Sequence, residues 1–362
     1  MSSDALNALC PYYTMYPLDF PLRVLKEHGR RGEWVIDPFC GRGTTNFAAR
    51  LLGMPSVGVD SSPVAAALAR AKFATAAPGR VVASARTILR TAKEPKSVPS
   101  GRFWELAYHQ RNLVQLCQLR EALLAECSSD TRILLRAIVL GALHGPRPKG
   151  EPSYFSNQSP RTFAPKPNYA VKFWTARGMV PVEVDALSII RRRADRYLAE
   201  PPPNVAGKVC LGDSRAAETF AEVPRARMVV TSPPYFGMRT YLPDQWLRLW
   251  FLGGPDHVVY RQPEDQLEHS GADHFSAEMG LVWRNVSGHA TRDARLVIRY
   301  GGIHDRDAEP MDVLKKSLVG SGWKMRTAKA VPDSDSGRRQ VRQFQARPKK
   351  AITEYDVYCC RP

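Results

Sequence analysis

Residues 32–53 read "GEWVIDPFCGRGTTNFAARLLG". Trp34 to Ile36 form a short apolar run, Asp37 closes it, a Gly-Arg-Gly turn follows at 41–43, and small helix-compatible residues begin at about Thr44. Glycines let a ligand approach the main chain, and the start of a helix presents N–H groups without internal partners. A strand, a glycine turn and a helix in that order therefore predict a nucleotide-type pocket. About twenty residues on, "SVGVDSSPVAAALARA" gives a second strand ending in Asp60, where βαβ nucleotide folds place the acid that accepts ribose hydroxyls. The expected fold class is α/β.

A second punctuated stretch lies far downstream. "VVTSPPYFGMRTY", residues 229–241, runs an apolar strand into Ser-Pro-Pro-Tyr. Each proline fixes its own φ, lacks an N–H donor and drives the preceding residue out of helical space. Ser232 to Tyr235 must then be a stiff, extended loop whose carbonyls face outward. At the carboxyl end of a strand in an open α/β sheet, such a loop sits where ligands bind. On these residues alone, an ordinary strand-to-helix turn is the alternative.

Composition bounds the rest. The chain has 362 residues and 44% hydrophobic content, enough for a sizeable core. Lys and Arg number 52 against 35 Asp and Glu, a net charge of +17 that fits a polyanionic partner such as nucleic acid. No apolar run is long enough to span a membrane, and the amino terminus has neither region of a signal peptide. The seven cysteines include no CxxC pair, so reduced thiols are expected rather than disulfides or a metal site.

"DPFCGRGTT" and "TSPPY" together resemble motifs I and IV of the S-adenosylmethionine-dependent DNA amino-methyltransferases. "YPLDFP" at 16–21 is similar to motif X, "GVDSS" at 58–62 to motif II, and "LGDS" at 211–214 to the segment that usually precedes TSPPY. The resemblance covers residues 12–72 and about 208–302. It implies a Rossmann-like class I methyltransferase sheet with S-adenosylmethionine as cofactor. It implies duplex DNA as partner, with no membrane role, in a monomer or homodimer in the cytoplasm of a prokaryotic cell, at the nucleoid. A cognate restriction endonuclease acting separately is compatible with it.

The chemistry accounts for these residue types. An exocyclic amino group is a weak nucleophile because its lone pair is drawn into the ring, so the enzyme must position and polarise it beside an electrophilic methyl. By the resemblance, the Ser232 oxygen and Pro233 carbonyl accept the amino hydrogens, Pro234 stiffens the loop, and Tyr235 stacks on a base flipped out of the duplex. Serine at the first motif position is typical of cytosine-N4 enzymes, and Asp or Asn of adenine-N6 enzymes. Site-specific cytosine-N4 methylation is therefore expected, with adenine-N6 as the alternative. An RNA amino-methyltransferase and a catalytically silent DNA-binding protein are more distant alternatives. The cofactor residues implied are Phe20 and Pro21 near the methionine end and Asp37, Pro38, Phe39, Gly41 and Gly43 along the amino-acid portion. Thr44 and Thr45 open the helix, Asp60 and Ser61 hold the ribose, and Asp213 lies near adenine. A turn or capping role is the alternative for each aspartate. Cys40 and His144 are expected to pack rather than catalyse.

Residues 73–205 interrupt the pattern, separating a catalytic domain of 1–72 and 206–362. "FWELAYHQRNLVQLCQLREALLAEC" (103–127) and "RILLRAIVLGAL" (132–143) have helical spacing, and a proline-rich basic loop follows. Basic residues outnumber acidic ones two to one across this insertion. It is the candidate DNA-recognition region through Arg147, Lys149, Arg161 and Lys166. A helical lid touching only phosphates is the alternative. Arg239 and the basic stretch with Arg338, Arg339 and Arg342 are further DNA-contact candidates.

Overall fold

The computed structural model describes residues 5–12, 16–147, 150–237, 242–260, 265–269, 271–302, 308–331 and 353–362. In chain order they form α1 (Asp19–His28), β1 (Val35–Asp37), α2 (Thr44–Leu51), β2 (Ser56–Asp60) and α3 (Pro63–Arg70). Six helices follow: α4 (Pro78–Thr91), α5 (Arg102–Ala107), α6 (Gln110–Ala125), α7 (Asp130–Ala142), α8 (Pro167–Ala176) and α9 (Ala186–Tyr197). The chain then adds β3 (Gly207–Leu211), β4 (Ala226–Thr231), α10 (Trp246–Phe251), α11 (Ala272–Gly288), β5 (Ala290–Tyr300), α12 (Pro310–Leu318), β6 (Lys324–Ala330) and β7 (Tyr355–Cys360).

The seven strands make one sheet in the order β3-β2-β1-β4-β5-β7-β6. The first five run parallel, and β7 enters antiparallel between β5 and β6. This is the expected Rossmann-like class I methyltransferase sheet. Strand order reverses between β1 and β4, which sets the topological switch point at their carboxyl ends. The central strands β2, β1 and β4 are buried on both faces because helices cover both. Met228 and Val230 of β4 join Val35 and Val297 under Phe20, Val24 and Leu25 of α1 and Ala48 and Ala49 of α2. Val229, one residue out of phase, turns with Ile36, Val57, Leu296 and Ile298 to the opposite face, against Met279, Val282 and Trp283 of α11. A buried bidentate pair, Arg299 Nε to Asp356 Oδ1 at 2.8 Å and Nη2 to Oδ2 at 3.1 Å, locks β5 to its antiparallel neighbour.

The chain divides into two units. The sheet unit holds residues 14–73, 203–240 and 262–362, and the helical unit holds 1–13, 74–202 and 241–261. Residues 1–13 and 241–261, read from sequence with the catalytic domain, thus fall with the helices. The reason is apolar. Trp246 and Trp250 of α10 join Phe103 and Trp104 of α5, with ring centroids 4.8–5.6 Å apart. At the amino terminus, buried Leu6 and Leu9 bring the Leu9 carbonyl so close to α7 that a Cβ on Gly141 would meet it at 2.5 Å. The helix expected across 103–127 is two helices. Tyr108 and His109 take extended backbone between them, and the Tyr108 hydroxyl is drawn inward to the Leu143 carbonyl at 3.1 Å.

Candidate functional site

Asp37 lies at the carboxyl end of β1 and is fully buried. Its Oδ1 accepts from the Thr231 hydroxyl at 2.6 Å and the Phe39 N–H at 3.1 Å, and its Oδ2 from the Tyr16 hydroxyl at 2.9 Å. Tyr16 also meets Thr45 Oγ1 at 2.5 Å, and Thr45 donates to the Val230 carbonyl at 3.2 Å. The acid that closes the first strand therefore ties the glycine loop to the strand that carries Ser-Pro-Pro-Tyr. Burial raises its pKa above the ordinary carboxylate range, opposed by its hydroxyl and N–H donors. The sequence reading placed Asp37 along a cofactor; the structure gives both of its oxygens internal partners.

The glycine loop is strapped onto β2. Cys40 N–H donates to the Val59 carbonyl at 2.9 Å, and Gly41 N–H to Asp60 Oδ2 at 2.9 Å. Gly43, at φ +80°, caps α2 in the left-handed region, and a Cβ there would lie 2.9 Å from the Ala69 backbone. Gly58 has a packing role that the sequence did not reveal: a Cβ on it would strike Asn46 Oδ1 at 2.7 Å and Cys40 at 2.9 Å. A Cβ on Gly41 would instead project into open space, so the loop's main chain is approachable there. Asp60 also accepts from Ser62 N–H at 2.9 Å, and burial lifts its pKa to about 6.

Pro38 is buried, and its carbonyl accepts from the Ser214 hydroxyl at 2.6 Å, which joins the LGDS segment to the first loop. Phe39 meets Trp283 edge-on at 6.0 Å. Asp213 is engaged by Arg215, whose Nε lies 2.9 Å from its Oδ2; Arg215 also pairs with Glu278. Phe20 and Pro21 are core residues of α1, with Arg299 4.1 Å above the Phe20 ring. Thr44 and Thr45 are buried at the start of α2, and Ser61 is half-buried beside Asp60. Cys40 is buried with its thiol pKa pushed up by desolvation. His144 is buried, its Nδ1 2.7 Å from the Pro160 carbonyl and its pKa pushed down to about 3 by burial and by Arg248.

The second loop is held by residues that no local motif announces. The Tyr235 hydroxyl donates to Glu354 Oε1 at 2.8 Å, and its ring meets Tyr300 edge-on at 5.4 Å. Burial, then the neighbouring Glu354 carboxylate, keeps Tyr235 protonated well above its ordinary range. Phe236 packs on Phe275 at 5.5 Å, and Gly237 N–H donates to His269 Nδ1 at 3.0 Å. Ser232 and Pro234 stay partly exposed while Pro233 is buried. Glu354, Tyr300, His269, Tyr16 and Thr231 are thus site-building residues missed in the sequence. Only Thr231 and Tyr16, inside quoted motifs, carried any signal.

Of the DNA-contact candidates, Arg147 Nη2 donates to the Val180 carbonyl at 3.0 Å, and Lys166 pairs with Asp244 at 2.6 Å. Arg161 is exposed, and its carbonyl accepts from Arg248 at 3.0 Å. All three belong to the helical unit. Lys149, Arg239, Arg338, Arg339 and Arg342 lie outside the described residues. Among the described residues no helix is long and apolar enough to cross a membrane.

Residues 4–71 match the DNA methylase family N6_N4_Mtase. A stretch of 45 residues, 12% of this chain, is 40% identical to the type II methyltransferase M.MthZI of Methanothermobacter thermautotrophicus and spans 13% of that protein's length. Solved structures that align with the chain include an rRNA methyltransferase, aviRa, from Streptomyces viridochromogenes, at TM-score 0.37 and 13% identity over 99% of this chain and 93% of that one. A TehB-like SAM-dependent methyltransferase from Corynebacterium glutamicum aligns at TM-score 0.34 and 9% identity over 94% and 87%.

Proposed function

We propose that this chain is a DNA methyltransferase that moves a methyl group from S-adenosylmethionine to the N4 amino group of cytosine in duplex DNA, a reading supported by the match of residues 4–71 to the DNA methylase family. The observation that carries this reading is the direct tie between the two motif loops at the switch point, Thr231 Oγ1 to Asp37 Oδ1 at 2.6 Å. A cofactor loop and a base-polarising loop must hold a fixed separation for in-line transfer, because a displacement of about 1 Å costs on the order of a hundredfold in rate.

The residues fit the cofactor. Gly41 leaves open space over a main chain beside the first turn of α2, and Asp60 supplies a carboxylate oriented by two backbone N–H groups. S-adenosylmethionine, when bound, supplies a sulfonium methyl electrophilic enough to need no activation. The chain's own work is on the base. Ser232 and the Pro233 carbonyl accept the amino hydrogens and leave the lone pair aimed at the methyl, and Tyr235 offers its ring to the flipped base while Glu354 fixes its hydroxyl. The amino proton shed as the nitrogen is methylated would pass to solvent along the hydrogen bond held by Ser232, balancing the positive charge that the cofactor's sulfur would lose. Arg147, Arg161 and Lys166 are assigned to DNA contact.

Incubation with duplex DNA and labelled cofactor, followed by nucleoside mass spectrometry, tests the reading. N4-methylcytosine is the expected product. N6-methyladenine would move the assignment to the other amino base, and cofactor binding without transfer to DNA would overturn it.

Asp60 makes a separate prediction. Ribose hydroxyls donate to an ionised carboxylate, whereas the free protein holds this carboxyl half-protonated near pH 6. Cofactor affinity should therefore rise with pH and level off above about 7, falling up to about tenfold per unit below 6. Calorimetric titration from pH 5 to 8 measures it. Asp60→Asn should bind weakly with no such slope, and a retained slope would assign the titration to another group.

A further inference from the structure

A cavity of about 450 Å³ opens on the sheet face formed by β5, β7 and β6, beside the end of α1. Its wall includes Arg292, Arg295, Arg326, Lys329 and Arg361. None of these five cations is paired with a carboxylate among the described residues. Arg295 donates to His28 Nδ1 at 3.1 Å, Arg326 reaches Cys360 Sγ at 2.8 Å, Lys329 sits 5.3 Å above the Tyr358 ring, and Arg361 caps the Ser287 and Ala290 carbonyls. Arg292 makes no hydrogen bond or ion pair among the described residues. Of the two acids in the wall, Asp293 is held by Arg227 at 2.8 Å, and Glu27 lies 3.5 Å from His28. The field at His28 is correspondingly positive: after burial, Arg295, Lys329 and Arg227 hold its pKa below the ordinary value, against Glu27.

Like charges gathered without counter-charges raise the energy of the fold and await an anion. The kind of anion follows from the layout. Arg292, Arg295, Arg326 and Lys329 are exposed, two on β5 and two on β6 with β7 between, so they spread about 10 Å across the strands and about 10 Å along each. They do not converge on one point, as a pocket for a single phosphate would require. A duplex, with one negative charge per about 1.7 Å of axis, matches a dispersed array.

We propose that this face is a phosphate-backbone contact for duplex DNA, outside the catalytic loops. Arg295 lies five residues below Tyr300 on β5, about 17 Å from the Ser-Pro-Pro-Tyr edge and within half a helical turn of a duplex seated there. The choice of DNA rests on the methyltransferase reading, but the test reads binding rather than product.

Arg292→Ala/Lys329→Ala changes two exposed residues that touch no motif loop. Duplex binding by fluorescence anisotropy, without cofactor, should weaken about tenfold near 0.1 M salt, and the slope of log affinity against log salt should become shallower by about two. The loss should be equal for any duplex sequence. Arg292→Lys/Lys329→Arg should bind as the parent does, and transfer at saturating DNA should be unchanged in both. Unchanged affinity and slope would overturn the proposal, as would a loss confined to single-stranded RNA. Absence of methyl transfer with the binding change intact would fault the enzymatic reading alone.

Discussion

Ser232→Ala lowers kcat by about a hundredfold or more, roughly 3 kcal/mol of barrier, while cofactor affinity stays near that of the parent. The asymmetry is diagnostic because in the proposed mechanism this side chain polarises the base and does not touch the sulfonium. Tyr235→Ala should fall as far, since it removes both the ring and the anchor held by Glu354 at 2.8 Å. Tyr235→Phe keeps the ring and frees the carboxylate, so its rate should lie between those of the parent and Tyr235→Ala. Single-turnover rates with labelled cofactor, alongside calorimetric binding, provide the check. Parent-like turnover in Ser232→Ala or Tyr235→Ala would remove this loop from the active site.

Asp37→Ala should have the largest effect on stability. It strands the Thr231 hydroxyl and the Phe39 N–H in a buried site and leaves the Tyr16 hydroxyl only Thr45, at a cost of about 1 kcal/mol or more for each stranded group, for a total of about 2 kcal/mol and a Tm lower by about 5 °C. Asp37→Asn keeps the shape and one acceptor and should lose less. Its pH profile should also change in sign-specific fashion. The carboxyl has a raised pKa in the folded protein, so the fold loses stability as pH rises from the ordinary carboxylate range through the raised value. Asparagine should abolish that fall, as thermal melts at several pH values will reveal.

The parts of this site that could be read in the sequence are those where punctuation is local. Asp37, Gly41, Gly43 and Thr44 announce strand, turn and helix within eight residues, and Ser232 to Tyr235 declare a stiff loop by proline alone. What escaped is what distance conceals. Glu354 meets Tyr235 across 119 residues, and His269 caps Gly237 from 32 away. Neither stands in a pattern that a single sequence distinguishes from a surface loop. The unit boundary escaped for a similar reason. "DQWLRLWFLG" has the spacing of any amphipathic helix, and only the aromatic partners in α5 reveal which core it joins. The five-strand parallel order follows from βαβ logic, whereas the reversed β7 depends on a pairing of residues 295–300 with 355–360 that periodicity does not encode.

The Thr231–Asp37 bond spans 194 residues, and this separation governs how the protein is made. At about 5–20 residues per second, a ribosome delivers β4 some 10–40 seconds after β1. During that interval β1 can pair with β2, its neighbour in sequence, but its other edge has no partner and the Asp37 carboxylate lacks the Thr231 hydroxyl. The first half of the sheet must therefore wait on the nascent chain with an open strand edge, the condition that invites pairing with the wrong strand or with a second copy. Synonymous changes that slow translation between residues 74 and 225 would lengthen the exposure, and their cost would appear as insoluble protein rather than as altered activity of the molecules that fold.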